Sequence, residues 1–277
     1  MFLKKPGIII FLLCWAALPC PHAAGTPSSS ARARARAILE SAGVEGGLVV
    51  HVGCGEGRTT AALYHGDNYL VHGLDADRVD VQKARDYISS RGNYGPVSAQ
   101  HWSGSRLPYS ADLVNLLVIE NPRSVPQEEI RRVLAPGGTA LVRREGQWVK
   151  VGNPWPANID QWTHWRHGPG GNPVADDSVI GPPRHLQWVA EPRWQTHHNM
   201  GQSVAAAVSA GGRIFYIVND VPPGIKGLPG KWYVMARDAF SGVLLWKHPI
   251  PHWGWRKWAS EQVGGRFNKP IHLARRL

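Results

Sequence analysis

The chain has 277 residues, 43% of them hydrophobic, and a formal net charge of +11. That length holds one large domain or two small ones, and the apolar share excludes a disordered polyelectrolyte. The basic excess is compatible with an anionic partner. No long run of like charges concentrates it, since Arg32, Arg34 and Arg36 are spaced apart, so no dedicated nucleic-acid site is expected.

Lys4 and Lys5 precede an apolar run over residues 7–18, followed by Pro19, Pro21 and the small residues Ala23, Ala24 and Gly25. A basic start, a short apolar stretch and a small-residue cleavage region predict an export signal over residues 1–24. The run is too short to cross a bilayer comfortably, and no transmembrane helix is expected beyond it. The protein is then periplasmic or extracellular, or tethered to the membrane where the signal stays uncleaved. Cys14 and Cys20 leave with the signal, and Cys54 alone gives no intrachain disulfide framework.

Residues 25–35 read as a linker, with an Ala/Arg-rich helix predicted over residues 31–39. An apolar strand over residues 48–52 then runs into Gly53, Gly55 and Gly57, and a helix follows to Tyr64. Glycines at such a joint let the backbone turn sharply and approach a ligand, and the helix beyond offers free N–H groups and a positive dipole end. This is a loop for a nucleotide-type cofactor. A second strand over residues 69–75 ends in Asp75, and residues 78–90 have helical spacing. A short third strand spans residues 96–101. The continuous apolar run over residues 111–119 fits a central parallel strand buried on both faces. A helix over residues 126–134, a tight turn at Pro136-Gly137-Gly138 and a fifth strand over residues 139–143 complete the pattern. Alternating strands and helices predict an α/β Rossmann-like, doubly wound parallel sheet over residues 36–147, with its ligand at the carboxyl ends of the strands.

The four motifs of this stretch resemble those of class I S-adenosylmethionine-dependent methyltransferases. Residues 51–57 (His-Val-Gly-Cys-Gly-Glu-Gly) are similar to their first motif, acid-x-Gly-x-Gly-x-Gly, with His51 where the acid usually stands. His72-Gly73-Leu74-Asp75 resembles their second-strand motif, Leu107-Pro108-Tyr109 with residues 111–114 resembles their "LP…FDLV" segment, and residues 130–138 resemble their "RVLKPGG" turn. The resemblance implies that His51, Gly53, Cys54, Gly55 and Gly57 lie by the methionine end of the cofactor. It also implies that Asp75 takes the ribose hydroxyls and that Trp102, with His101 and Ser103, lies near the adenine. It names no catalytic residue, because methyl transfer from a reactive donor rests mainly on positioning, and the acceptor is unknown. Glu120-Asn121-Pro122-Arg123 shares only Asn-Pro with the amine-gripping motif of amino-methylating relatives and reads as a strand-end turn. The α/β pattern is expected to stop after the fifth strand.

Eleven of the 13 tryptophans lie from Trp148 onward. Residues 148–200 read as a Trp/His-rich junction, in which His164, His167, His197 and His198 alternate with tryptophan. A packed aromatic junction is the expectation there, and no metal site is assigned. Four strands are predicted over residues 203–209, 212–218, 232–237 and 243–248. Residues 212–217 with residues 232–246 resemble one repeat of a pyrroloquinoline-quinone (PQQ)-type β-propeller. In that repeat Asp238 and Gly242 form the tight turn and Trp246 packs after it. Residues 201–277 are therefore expected to be the first blade of an all-β partial propeller, in a truncated chain or a fragment. PQQ itself is not inferable from one blade. The sequence thus leads to a methyltransferase-like protein. The alternatives are an exported binding scaffold for a protein or cell-surface partner, or part of a quinoprotein oxidoreductase.

Overall fold

A computed structural model describes residues 29–121, 123–179, 181–182, 186–191, 204–220 and 231–251. The export signal, His197, His198 and the segment after residue 251 lie outside the described residues. Among the described residues, no helix is long and apolar enough to cross a membrane.

The first domain begins with helix α1 (Ser29–Ala42) and continues through β1 (Gly47–Val52), α2 (Arg58–Leu63), β2 (Tyr69–Asp75), α3 (Arg78–Ser90), β3 (Val97–His101), β4 (Val114–Ile119), α4 (Gln127–Val133), β5 (Leu134–Arg144) and β6 (Gln147–Gly152). These strands form one six-stranded sheet in the order β3-β2-β1-β4-β5-β6. All neighbouring pairs are parallel except β5 with β6. The topology reverses direction between β1 and β4, which opens a crevice at their carboxyl ends.

Side-chain alternation on the central strands builds two cores. Val49, Val71, Leu116, Val118 and Leu141 face one way and pack with Ile38 of α1, Leu63 at the end of α2 and Ile88 of α3. Val50, Val52, Leu74, Leu117, Ile119 and Val142 face the other way and pack with Ile130 and Val133 of α4. A strand covered on both faces has no polar side to show, hence the largely apolar runs of β1 and β4, broken only by His51 and Asn115. Each fully buried Leu, Ile or Val adds roughly 1.5–3 kcal/mol of transfer free energy. Helix α3 starts where it was expected because the Asp77 side chain accepts a hydrogen bond from Val79 N and caps the first turn.

Two expectations need correction. The sheet does not end with the fifth strand, because β6 adds an antiparallel sixth. Arg144 pairs with Gln147 across a two-residue loop, Glu145-Gly146, with both residues at positive φ. That is the backbone of a tight hairpin with the right twist. Glutamate is unusual at its first position, so the sequence carried little signal for it. The Pro136-Gly137-Gly138 turn is in fact a bulge within β5. Val114 pairs with Leu134, and Leu116 only with Thr139. Gly137 N donates to Asn153 O at 2.9 Å, and Asn153 Nδ2 donates to Leu134 O at 2.7 Å. Gly138 is required here, since a Cβ would come within 2.8 Å of Ala135 O.

The second region is a four-stranded antiparallel sheet of β7 (Val204–Ala210), β8 (Arg213–Asn219), β9 (Trp232–Asp238) and β10 (Leu244–Pro249), in the order β10-β9-β8-β7. Consecutive strands are neighbours. At the β9–β10 turn, Asp238 Oδ1 accepts from Phe240 N, Ser241 N and Ser241 Oγ at 3.1, 2.6 and 2.7 Å. Gly242 completes the turn at φ +71°. Asp238 Oδ2 accepts from Asn115 Nδ2 at 2.8 Å, and Asn115 Oδ1 accepts from Leu48 N at the same distance. The turn of the second sheet is thereby fastened to the starting ends of β1 and β4, opposite the carboxyl-end crevice. Trp246 lies against Phe215 and His248 of its own sheet.

Candidate cofactor site

The residues singled out in the sequence converge at the carboxyl ends of β1, β2 and β3. The loop after β1 turns back on β2, with Gly53 N and Cys54 N both donating to Leu74 O, at 2.8 and 3.1 Å. Gly53, Gly55 and Gly57 have φ values of +81°, +51° and +77°, a region where L side chains are strained. Each glycine is needed for a different reason. A Cβ at Gly57 would lie 2.8 Å from Ala84 Cβ, so this residue lets α2 close on α3. At Gly53 a Cβ would come within 3.0 Å of Glu120 Cβ. A Cβ built at Gly55 would meet nothing within 4 Å, so the side-chain face of the loop is open there. The helix beyond is shorter than expected, and its N-terminal residue Gly57 makes no side-chain cap. The glycine backbone rather than a long helix dipole shapes the site.

Asp75 ends β2 opposite His101 of β3. Its Oδ2 accepts from Gly55 N at 2.8 Å and its Oδ1 from Asp77 N at 3.0 Å. The carboxylate is thus aimed along the loop, and each oxygen keeps lone-pair capacity for another donor. Trp102 follows β3. Its backbone N donates to Asp75 O at 2.8 Å and its indole Nε1 to Arg106 O at 2.8 Å. The indole ring is held by the loop that follows it. Cys54 is buried beneath the loop against Gly73. Burial first, then the nearby Asp75, pushes its thiol up to about 12, so it stays neutral.

His51 lies deeper than a cofactor contact. It is 2% exposed, and both ring nitrogens are engaged: Nδ1 with Thr60 Oγ1 at 2.8 Å and Nε2 with Glu120 Oε1 at 3.3 Å. The sequence reading missed the group this exposes. Glu120, at the end of β4, also accepts from Arg34 Nη2 at 2.6 and 2.7 Å and from Arg143 Nη1 at 3.2 Å. Burial alone would raise the Glu120 carboxyl, but His51, Arg34 and Arg143 outweigh it and hold it below its ordinary range. Both arginines lie 5.9 Å from the Trp148 ring centroid. A carboxylate absent from position 51 therefore stands beside Gly53 after all, carried in by a neighbouring strand. The only sequence signal was its place at the end of the β4 apolar run.

Asn121 closes its own turn, its Oδ1 accepting from Arg123 N and its carbonyl from Ser124 N, both at 3.1 Å. In the junction, His167 Nε2 pairs with Asp160 Oδ2 at 2.5 Å and its ring packs edge-on against Trp162. Asp176 lies close to that pair, and its backbone N donates to the same Asp160 oxygen at 2.7 Å.

An open glycine loop at a switch point, a carboxylate aimed along it and a parallel sheet closed by an antiparallel strand define a methyltransferase-like domain with a Rossmann-like fold. Residues 49–138 match the family model described as a methyltransferase domain. The chain is 32% identical over 103 residues to the methyltransferase GfsG of Streptomyces halstedii, covering 35% of this chain and 37% of that protein. It therefore spans less than two thirds of its curated relative. Among solved structures, a SAM-dependent methyltransferase from Aquifex aeolicus is 19% identical with a TM-score of 0.36, covering 39% of this chain and 62% of that one. A geranyl diphosphate methyltransferase in complex with SAM is 18% identical with a TM-score of 0.36, covering 40% and 48%.

Proposed function

We propose that the first domain binds S-adenosylmethionine at the loop of Gly53, Gly55 and Gly57 and transfers its methyl group to an acceptor still to be identified. The observation that carries this reading is Asp75, held along the loop by Gly55 N at 2.8 Å with the Gly55 face open beside it. The bound cofactor supplies an electrophilic methyl group on a sulfonium. The Asp75 carboxylate has free lone pairs for a vicinal diol such as the ribose hydroxyls. The exposed Gly53 backbone lets a ligand come close, and Trp102 borders the adenine side. Glu120 with Arg34 and Arg143 places one negative and two positive charges beside Gly53, matching the zwitterionic amino-acid end of the donor. His51 serves as a positioning residue, tying Glu120 to Thr60 of α2. No proton-abstracting group is needed for a nucleophilic acceptor, because orientation supplies most of the rate.

S-adenosylhomocysteine, the demethylated product, should raise the melting midpoint of the full chain, and Asp75→Ala should remove that shift without unfolding the protein. An unchanged midpoint in both proteins at millimolar ligand contradicts the reading.

We further propose that the four-stranded sheet is a blade of the PQQ-type propeller class on an exported protein, where it serves as a docking module for a protein or cell-surface polymer. The Asp238–Gly242 turn supports the blade reading. Cell fractionation with an antibody to the chain tests the export, and recovery in the cytoplasm alone contradicts it.

A further inference from the structure

We propose that the cleft between α1 and the C-terminal ends of α2 and α3 is a binding site for a phosphate group, separate from the glycine loop. The cavity measures about 550 Å³, within the range of small-molecule sites. Arg32 and Arg36 of α1, His65 after α2, and Arg91 and Asn93 after α3 line it, and no aspartate or glutamate does. None of its lining residues belongs to the loop or to the cluster around Glu120.

The strongest sign is Arg91. Its Nη1 is buried and has no hydrogen-bond partner among the described residues. A buried guanidinium N–H without an acceptor is unfavourable, and a turn of the Arg91 side chain toward an anion in the cleft that it lines would relieve it. The other arginines are poorly neutralised. Arg36 has Glu40 at 3.6 Å, but their side chains are 75% and 72% exposed, which makes a weak surface pair. Guanidinium forks match phosphate oxygens two at a time, with stronger, charge-assisted hydrogen bonds. Leu39, Ala61 and Ala62 add an apolar part to the lining, a dry surface for the organic part of a phosphoester. The volume exceeds what a bare phosphate fills, so a phosphoester is the natural occupant. It could be soluble, or it could be the headgroup of an anionic lipid.

Full-length protein should bind inorganic phosphate and, more tightly, pyrophosphate in calorimetric titrations at low ionic strength, with a rise in melting midpoint. Arg91→Met should weaken this at least tenfold. Because Arg91 is partly buried, Arg32→Gln on the exposed side of α1 provides a second variant, also expected to weaken binding. Arg131→Gln on α4 should change nothing. Affinity for S-adenosylmethionine should be the same in all variants, so failure here and failure of the methyltransferase reading are distinguishable. Sedimentation with phosphatidylglycerol vesicles separates the two sources. Recruitment that inorganic phosphate competes away and that Arg91→Met abolishes identifies the headgroup, and binding of the free ions without recruitment identifies a soluble phosphoester. Flat titrations with folded wild-type protein, equal binding by Arg91→Met and Arg32→Gln, or recruitment that neither phosphate nor the substitutions affect would overturn the proposal.

Discussion

Two aspartates end strands in the two sheets, and they are held in opposite ways. Asp238 of the antiparallel sheet is 9% exposed and takes hydrogen bonds from Phe240 N, Ser241 N, Ser241 Oγ and Asn115 Nδ2. Asp75 of the parallel sheet takes two, from Gly55 N and Asp77 N, beside the side of Gly55 where a Cβ would meet nothing within 4 Å. A saturated carboxylate is a structural part, because every acceptor site already stabilises the fold. A carboxylate aimed and left half-open stands ready for a ligand. The same residue type at the same kind of strand end is saturated in one sheet and has spare acceptor capacity in the other, according to how many donors surround it.

Substitution should separate the two. Asp238→Ala leaves four donors without their acceptor and unfastens the sheets at Asn115. We expect a loss of about 3 kcal/mol of stability by denaturant unfolding, with cofactor affinity unchanged in the folded fraction. A loss below about 1 kcal/mol would mean that the turn stands without its carboxylate. His51→Leu should cost about 2 kcal/mol, because it strands Thr60 Oγ1 and a buried edge of Glu120. Asp75→Ala should cost less than about 1 kcal/mol of stability yet weaken S-adenosylmethionine at least tenfold, which is about 1.4 kcal/mol. Were its stability loss to match that of Asp238→Ala, the contrast between the two aspartates would collapse.

The smallest expected effect is in acid. Glu120 is held below the ordinary carboxylate range in the folded protein, so its contribution to stability is fully present above the unfolded-state value. As pH falls through the lower, folded value, Glu120 protonates, its pairing with Arg34 and Arg143 weakens, and that stability is lost. Glu120→Gln should therefore flatten the stability-against-pH curve on its acid side and leave it unchanged near neutrality in slope. An acid limb equally steep in both proteins would remove Glu120 from the charged cluster.

Much of the first domain was legible because burial writes itself into sequence. The apolar runs of β1 and β4 come from strands covered on both faces, and α3 came out with its true bounds because a capping aspartate precedes a clean helical repeat. The four strands of the second sheet were readable from alternation and from the Asp238–Gly242 turn. What was hidden depends on neighbours rather than on local pattern. β6 is a largely exposed edge strand, so its burial pattern left no apolar run. The bulge at Gly137 is pinned by Asn153, well beyond the motif that suggested a turn. The loop residues Gly53, Gly55, Gly57 and Asp75 were found because they are close in sequence and carry special backbone demands. Glu120 was not, since Arg34 and His51 lie 86 and 69 positions away and only the fold brings them together.

The central claim is that the open carboxylate at Asp75 and the glycine loop beside it hold S-adenosylmethionine. Calorimetric titration of the donor into the full chain and into Asp75→Ala tests it most directly. The account predicts saturable one-to-one binding by the wild-type protein, and loss of that binding in a variant that melts close to the wild type. Absence of heat at millimolar donor with folded wild-type protein, or equal affinity in Asp75→Ala, would contradict it.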